Sequence, residues 1–114
     1  MNTWTGLTPM ARIEVVIDGE HVPVIRDILL ASGATGYTAL HGVSGFGHGG
    51  QHEGRLLFND RNSLSLLISI IPLERAESLI AGIRRVLNNA PGVMFVSETH
   101  VSRPEYFAAS QENE

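Results

Sequence analysis

The residues whose types and spacing could do chemistry lie mainly in one stretch, Ser44 to Asn62, which reads SGFGHGGQHEGRLLFNDRN. Its glycines would let backbone N–H groups approach the oxygens of a phosphate or another small anion, because no side chain stands in the way. A connection of this length without periodicity is uncommon in a small domain and is usually functional or disordered. We expect the protein to act here. The alternative is a merely flexible connection, in which Phe46 would be unusual.

Histidines in and beside this stretch suggest a second chemistry. His41, His48 and His52 could bind Zn²⁺ or Cu²⁺ through neutral imidazole nitrogens, with Glu53 as an oxygen donor. Loop histidines without supporting hydrogen-bond partners are more often polar surface, so a metal site at His48 and His52 is the alternative and no metal is the leading expectation. No spacing of carboxylates brings together a base, a nucleophile and an oxyanion donor. We therefore expect that the protein is not an enzyme. Slow hydrolysis of a bound nucleotide is an open alternative.

The composition fits one small domain. The 114 residues are 43% hydrophobic with a formal net charge of -4, which argues against nucleic-acid binding because that depends on clustered cations. Cysteine is absent, which excludes thiolate metal sites and disulfides. The chain shows neither a secretory signal nor an apolar run long enough to insert into a membrane, so we expect a soluble, cytoplasmic protein. Residues 1–10 are expected to be an extension, 11–107 the domain and 108–114 a disordered acidic tail.

The spacing of apolar residues predicts six elements around the glycine-rich stretch. Apolar alternation predicts strands, and a period near 3.6 predicts helices. The strands are Arg12–Ile17, Tyr37–Val43, Ser63–Ile71 and Val93–Val96, and the helices run from about Glu20 to Ser32 and from Pro72 to about Asn88. This order is the α+β, ferredoxin-like βαββαβ arrangement, with a long loop over about residues 44–62.

Two helices can cover only one face of a four-stranded sheet. We expect the uncovered face to carry Val16, Leu67 and Ile71 beside Ser65 and Ser69. Such a face is too apolar to remain in water, so the sequence predicts a homo-oligomer that buries it.

The order of elements and the long loop resemble the PII signalling family over about residues 11–100. GYT at Gly36 to Thr38 resembles that family's second strand, VSGFG at Val43 to Gly47 its loop base, and SIIP at Ser69 to Pro72 its junction of third strand and second helix. The resemblance implies a homotrimer of ferredoxin-like subunits with a long mobile loop. It also implies a sensor of adenine nucleotides, which bind in the clefts between subunits.

Carried over residue by residue, the resemblance implies a nucleotide site. Thr38 would contact the base, Gly45, Phe46 and Gly47 would line the phosphate side, Gly92 would occupy a second turn, and Arg103 is the remaining nearby cation. Two lysines usual in the family are replaced by Leu64 and Val93. Fewer cations favour fewer phosphates, so we expect AMP or ADP to compete better against ATP than in ordinary PII proteins.

The loop also lacks residues that the resembled family uses in nitrogen control. It contains no tyrosine to be uridylylated, and the glutamine that the family ties to oxoglutarate is not in place. The chain is therefore most similar to divergent members associated with carboxysomes and bicarbonate transporters, and the loop would signal to such a partner. Bicarbonate could be held by the backbone at Gly45, Gly47 and Gly49, with His48 or Arg55 assisting.

Overall fold

The computed structural model of the chain describes residues 4–44 and 63–108. These ranges contain four strands and two α-helices: β1 (Thr8–Asp18), α1 (Val22–Ala31), β2 (Thr38–Val43), β3 (Leu64–Ile71), α2 (Ala76–Leu87) and β4 (Gly92–Val101). Short 3₁₀ turns cover Gly19–His21, Leu73–Arg75 and Pro104–Tyr106. Neither α-helix of these ranges has the length and apolar character that crossing a membrane needs.

The four strands form one antiparallel sheet in the order β2-β3-β1-β4. With a helix after the first strand and another after the third, this is the ferredoxin-like α+β fold that the sequence predicts. Both helices contribute to a single buried cluster on one side of the sheet, through Ile25 and Leu29 of α1 and Leu79 and Ile83 of α2. The second face of the sheet has no helix against it in the described chain.

The face that β3 presents to the helices is the opposite of the predicted one. Ile13 of β1 lies directly opposite Ser69, so the helix-covered side of β3 consists of Ser65, Leu67, Ser69 and Ile71, all buried. The two serines tolerate this burial because their hydroxyls are paired. Ser69 Oγ donates to the Gly36 carbonyl at 2.9 Å, and Ser65 Oγ lies 2.9 Å from His41 Nδ1.

We call the uncovered side of the sheet the open face. From strand register, its members include Thr38, Leu40, Leu64, Leu66, Ile68, Ile70, Arg12, Glu14, Val16, Asp18, Val93, Phe95 and Ser97. The prediction for Val16 is confirmed, whereas Leu67, Ile71 and the two serines belong to the core. The open face is nevertheless more apolar than predicted, because the uniformly aliphatic half of β3 points to it.

Two strands are longer than their alternation predicts. β1 begins at Thr8 and pairs with β4 as far as Val101, so residues 8–10 belong to the sheet and not to an extension. Pro9 is tolerated because it lies past the last pair between β1 and β3, where β1 is locally an edge strand. The ring of Trp4 meets the ring of His100 edge-on at 5.0 Å between centroids, so the segment between Trp4 and β1 also lies near β4.

Local sequence features account for the ends of α1 and the start of α2. α1 has Pro23 in its first turn and is followed by Gly33 at a φ of +90°, a conformation that favours glycine. In α2 the buried positions are Leu79 and Ile83. A helix that began at Pro72, as predicted, would carry Leu73 on its apolar side with Ala76, but Leu73 is 44% exposed because it lies in a 3₁₀ turn before the helix. The tighter turn changes the angular spacing, so the apolar side of the helix begins only at Ala76.

Candidate nucleotide site

Thr38 stands at the start of β2, an edge strand of the sheet. It is exposed and lies on the open face, opposite Ile68 of β3. The segment that leads into Thr38 is held to the core by a hydrogen bond, because the hydroxyl of buried Ser69 donates to the carbonyl of Gly36. A hydrogen bond from the core therefore holds the GYT motif at the start of β2, an edge strand among the described strands.

Arg103 follows the end of β4 and lies beside the same segment. The turn after it, Pro104–Tyr106, is tied across the end of the sheet by Thr35, whose Oγ1 donates to the Tyr106 carbonyl at 2.8 Å. The Arg103 guanidinium lies 5.6 Å from the centroid of the Tyr106 ring, and its Nη1 donates to the Tyr106 hydroxyl at 3.5 Å. One exposed cation and one exposed phenol thus adjoin the segment that leads to Thr38.

Gly92 is far from Arg103 within one chain. It is the first residue of β4 and pairs with Ile17, whereas Arg103 follows the last residue, Val101. Nine strand steps separate the two ends of β4, about 30 Å at the usual rise per residue. Gly92 also lies on the opposite edge of the sheet from β2, three strand spacings or about 14 Å away. A single chain does not bring Thr38, Gly92 and Arg103 together.

The two positions that carry lysines in the resembled family lie at the same end of the sheet as Gly92. Leu64 is opposite Asp18, Val93 is opposite Val16, and all four side chains belong to the open face. Among the described residues, this corner carries the Asp18 carboxylate, which lies 2.5 Å from His21 Nδ1. Neither Leu64 nor Val93 supplies a cation to it.

The other predicted site residues lie outside the described residues. They are Gly45, Phe46, Gly47, His48, Gly49, Arg55 and the alternative metal ligands His52 and Glu53. His41 is described, and its Nδ1 is within hydrogen-bond distance of Ser65 Oγ. Within residues 4–44 and 63–108, no group of three histidine or acidic side chains is placed to hold a metal ion.

Sequence reasoning missed the residues that support this site. Ser69 was expected on the uncovered face, and Thr35 and Tyr106 had no predicted role at the site. Their contribution depends on two long-range hydrogen bonds. Ser69 and Gly36 are 33 positions apart along the chain, and Thr35 and Tyr106 are 71 positions apart. A single sequence carries no periodic signal for such contacts. Tyr106 offered one local signal, an aromatic residue close behind an Arg-Pro pair in an otherwise polar segment.

The fold is that of a ferredoxin-like subunit, and the predicted site residues Thr38 and Gly92 lie on opposite edges of its sheet. The family model of nitrogen regulatory protein P-II matches residues 10–106, and the chain belongs to that family. No curated protein sequence matches the chain significantly.

Solved structures of PII-like proteins are similar to this chain over nearly its whole length. CPII, a nitrogen regulatory PII-like protein from Thiomonas intermedia K12, bound to ADP, AMP and bicarbonate, is 33% identical with a TM-score of 0.79, covering 90% of this chain and 96% of CPII. A structure of CPII bound to ADP and bicarbonate is 32% identical with a TM-score of 0.76, covering 89% and 96%. A PII-like signaling protein from Thermus thermophilus shares the fold at 19% identity and a TM-score of 0.72, covering 89% and 97%.

Proposed function

We propose that the protein is a PII-like regulator that binds AMP or ADP between the subunits of a homotrimer. The observation that carries the proposal is the likeness to CPII, at 33% identity over 90% of this chain, in a structure that holds ADP, AMP and bicarbonate. The P-II family model, matched over residues 10–106, supports a regulatory role and not a catalytic one.

The split of the site residues supports binding between subunits. Thr38 lies on the β2 edge and Gly92 on the β4 edge, with two strands between them. A ligand that contacts both edges needs the β2 edge of one subunit to meet another subunit. The apolar open face supplies a reason for such an assembly, since Leu66, Ile68 and Phe95 are left partly or largely in water by a lone chain.

The preference among nucleotides follows from the cations that remain. Arg103 is held in place by Tyr106 and offers one guanidinium to one phosphate. Leu64 and Val93 offer none to the outer phosphates of ATP. We therefore expect AMP and ADP to bind in the micromolar range and to compete well against ATP.

Bicarbonate sensing is the finer part of the proposal. The backbone at Gly45, Gly47 and Gly49, assisted by His48 or Arg55, would hold the anion, and the loop would report it to a partner in inorganic-carbon metabolism, such as a bicarbonate transporter. Support comes from CPII structures that are bound to bicarbonate. A carboxysome-associated partner remains a prediction from the resemblance alone.

Calorimetric titration of the full chain with AMP, ADP and ATP tests the nucleotide proposal. We expect one AMP or ADP per subunit and weaker binding of ATP. Arg103→Ala should weaken AMP at least tenfold while leaving adenosine, which has no phosphate, unchanged. Arg84→Ala removes the same charge from an exposed position on α2 and should change neither. No heat with any of the three nucleotides would contradict the proposal.

A further inference from the structure

The open face carries one pair of opposite charges in its interior. Arg12 Nε donates to Glu14 Oε2 at 2.5 Å, and both residues belong to β1, which has a strand on each side. Their neighbours across the strands are apolar on the β3 side, with Arg12 opposite Ile70 and Glu14 opposite Ile68. The pair therefore lies amid the aliphatic surface and not at its rim.

The pair is already partly removed from water in a lone chain. The Arg12 and Glu14 side chains are 39% and 26% exposed. A second copy covering the apolar surface would remove the remaining water. Charges buried in that way must have their full set of partners, because an unpaired one is strongly destabilising.

The hydrogen bond between Arg12 and Glu14 uses only a small part of the hydrogen-bonding capacity of the two side chains. A guanidinium has five N–H donors and a carboxylate accepts on two oxygens. Among the described residues, Arg12 uses one donor, toward one oxygen of Glu14. The remaining donors and acceptors point to a partner that offers a carboxylate and a guanidinium at the same spacing. A second copy of this chain offers both.

We propose that Arg12 and Glu14 are the specificity residues of subunit assembly: Arg12 of one copy pairs with Glu14 of the next. The apolar residues of the open face supply the affinity, and the charge pair decides which chains are accepted and in which register. A chain with like charges at these two positions would be rejected. The inference rests on the subunit assembly of the proposed function and adds the residues that select the partner.

A charge swap tests this without leaving the pair unmatched inside any chain. The double variant Arg12→Glu/Glu14→Arg keeps an opposite-charge pair on β1 and should assemble with itself. Co-expressed with a differently tagged wild-type chain, it should sort into separate homo-oligomers, because Arg12 of the wild type then meets an arginine. Native mass spectrometry should find mixed oligomers at least tenfold below the random proportion.

Two controls define the random proportion. Tagged and untagged wild-type chains should mix freely, and so should the wild type with Glu77→Arg/Arg84→Glu, which swaps charges at exposed positions of α2 on the other side of the sheet. The single variants add a second test. Arg12→Glu alone and Glu14→Arg alone should each be folded, by circular dichroism, but fail to assemble, because every contact between copies then brings two like charges together.

Each remaining outcome overturns the inference. Free mixing of the swapped chain with the wild type, failure of the swapped chain to assemble with itself, or normal assembly of both single variants would each show that the pair does not select the partner. If the wild type assembles and binds AMP while the swapped chain mixes freely, this inference fails and the proposed function stands. A wild-type chain that remains monomeric overturns both.

Discussion

A substitution of Gly92 can distinguish a role in packing from a role in ligand binding. The structure predicts that any side chain at this position destabilises the fold. A Cβ at Gly92 would lie 2.7 Å from the Val16 carbonyl oxygen, 3.1 Å from Leu87 Cδ2 and 3.2 Å from Ile17 Cγ1. The first contact is with the backbone of β1, an inner strand of the sheet, and this backbone cannot rotate away. The β1–β4 pairing at this corner must therefore open for even a methyl group.

We expect Gly92→Ala to lower the free energy of unfolding by about 1–3 kcal/mol, the range for overpacking a well-packed site. For a domain of this size the melting temperature should fall by roughly 5–20 °C. The measurement is thermal or urea unfolding followed by circular dichroism at one fixed chain concentration, since assembly contributes to apparent stability.

Gly19→Ala is the matched control for this measurement. A Cβ there meets its nearest heavy atom, the Ser63 carbonyl oxygen, at 3.7 Å, an ordinary contact. We expect a change within about 0.5 kcal/mol. If Gly92→Ala costs no more than Gly19→Ala, the packing argument is refuted. If it also abolishes AMP binding at unchanged stability, Gly92 is a ligand contact and not a packing position.

Further predictions concern the support, the charge and the chemistry of the site. Ser69→Ala should cost about 1 kcal/mol, because the hydrogen bond from the buried Ser69 hydroxyl to the Gly36 carbonyl is lost, and it should also weaken AMP binding. Unfolding and calorimetry check both effects, and unchanged values would contradict the anchoring role. Val93→Lys restores a cation at an exposed position beside Gly92 and should raise ATP affinity relative to AMP about tenfold, whereas an unchanged ratio in calorimetry would refute the charge argument. Zn²⁺ and Cu²⁺ should leave the melting temperature unchanged; stabilisation that disappears in His48→Ala/His52→Ala would instead establish the metal-binding alternative.

The order of elements could be predicted because each strand and helix has a periodic pattern of apolar residues within its own short segment. Alternation over residues 12–17 and the helical period of α2 are both properties of a short window. The ends of β1 and β4 could not be placed, because Thr8 and Val101 are extended through pairing with each other, 93 positions apart along the chain. Pairing over such distances leaves no trace in local periodicity.

The face of β3 shows where reasoning from one sequence goes wrong in a physically informative way. Both sets of alternating positions in this strand contain large apolar residues, and periodicity does not say which set meets the chain's own helices. The register with β1 buries the set that contains Ser65 and Ser69, whose hydroxyls are satisfied by His41 and the Gly36 carbonyl. The fully aliphatic set faces outward, and hydrophobicity there indicates burial by another chain.

The candidate site could be predicted only in part for a related reason. The roles of Thr38, Gly92 and Arg103 were predicted from the resemblance to the PII family, which rests on short motifs such as GYT. That Arg103 lies beside the segment leading to Thr38 depends on the hydrogen bond from Thr35 to the Tyr106 carbonyl, a tertiary contact. That Gly92 lies on the far edge depends on strand order. Neither can be obtained from spacing along the chain.

The central claim, that adenine nucleotide binds between subunits, is tested most directly by sedimentation of the wild-type chain with AMP, followed by nucleotide absorbance across chain concentrations that span assembly. The account predicts that AMP sediments with the oligomer and is released as dilution produces monomers. AMP that sediments with the monomer, or with neither species, would contradict it.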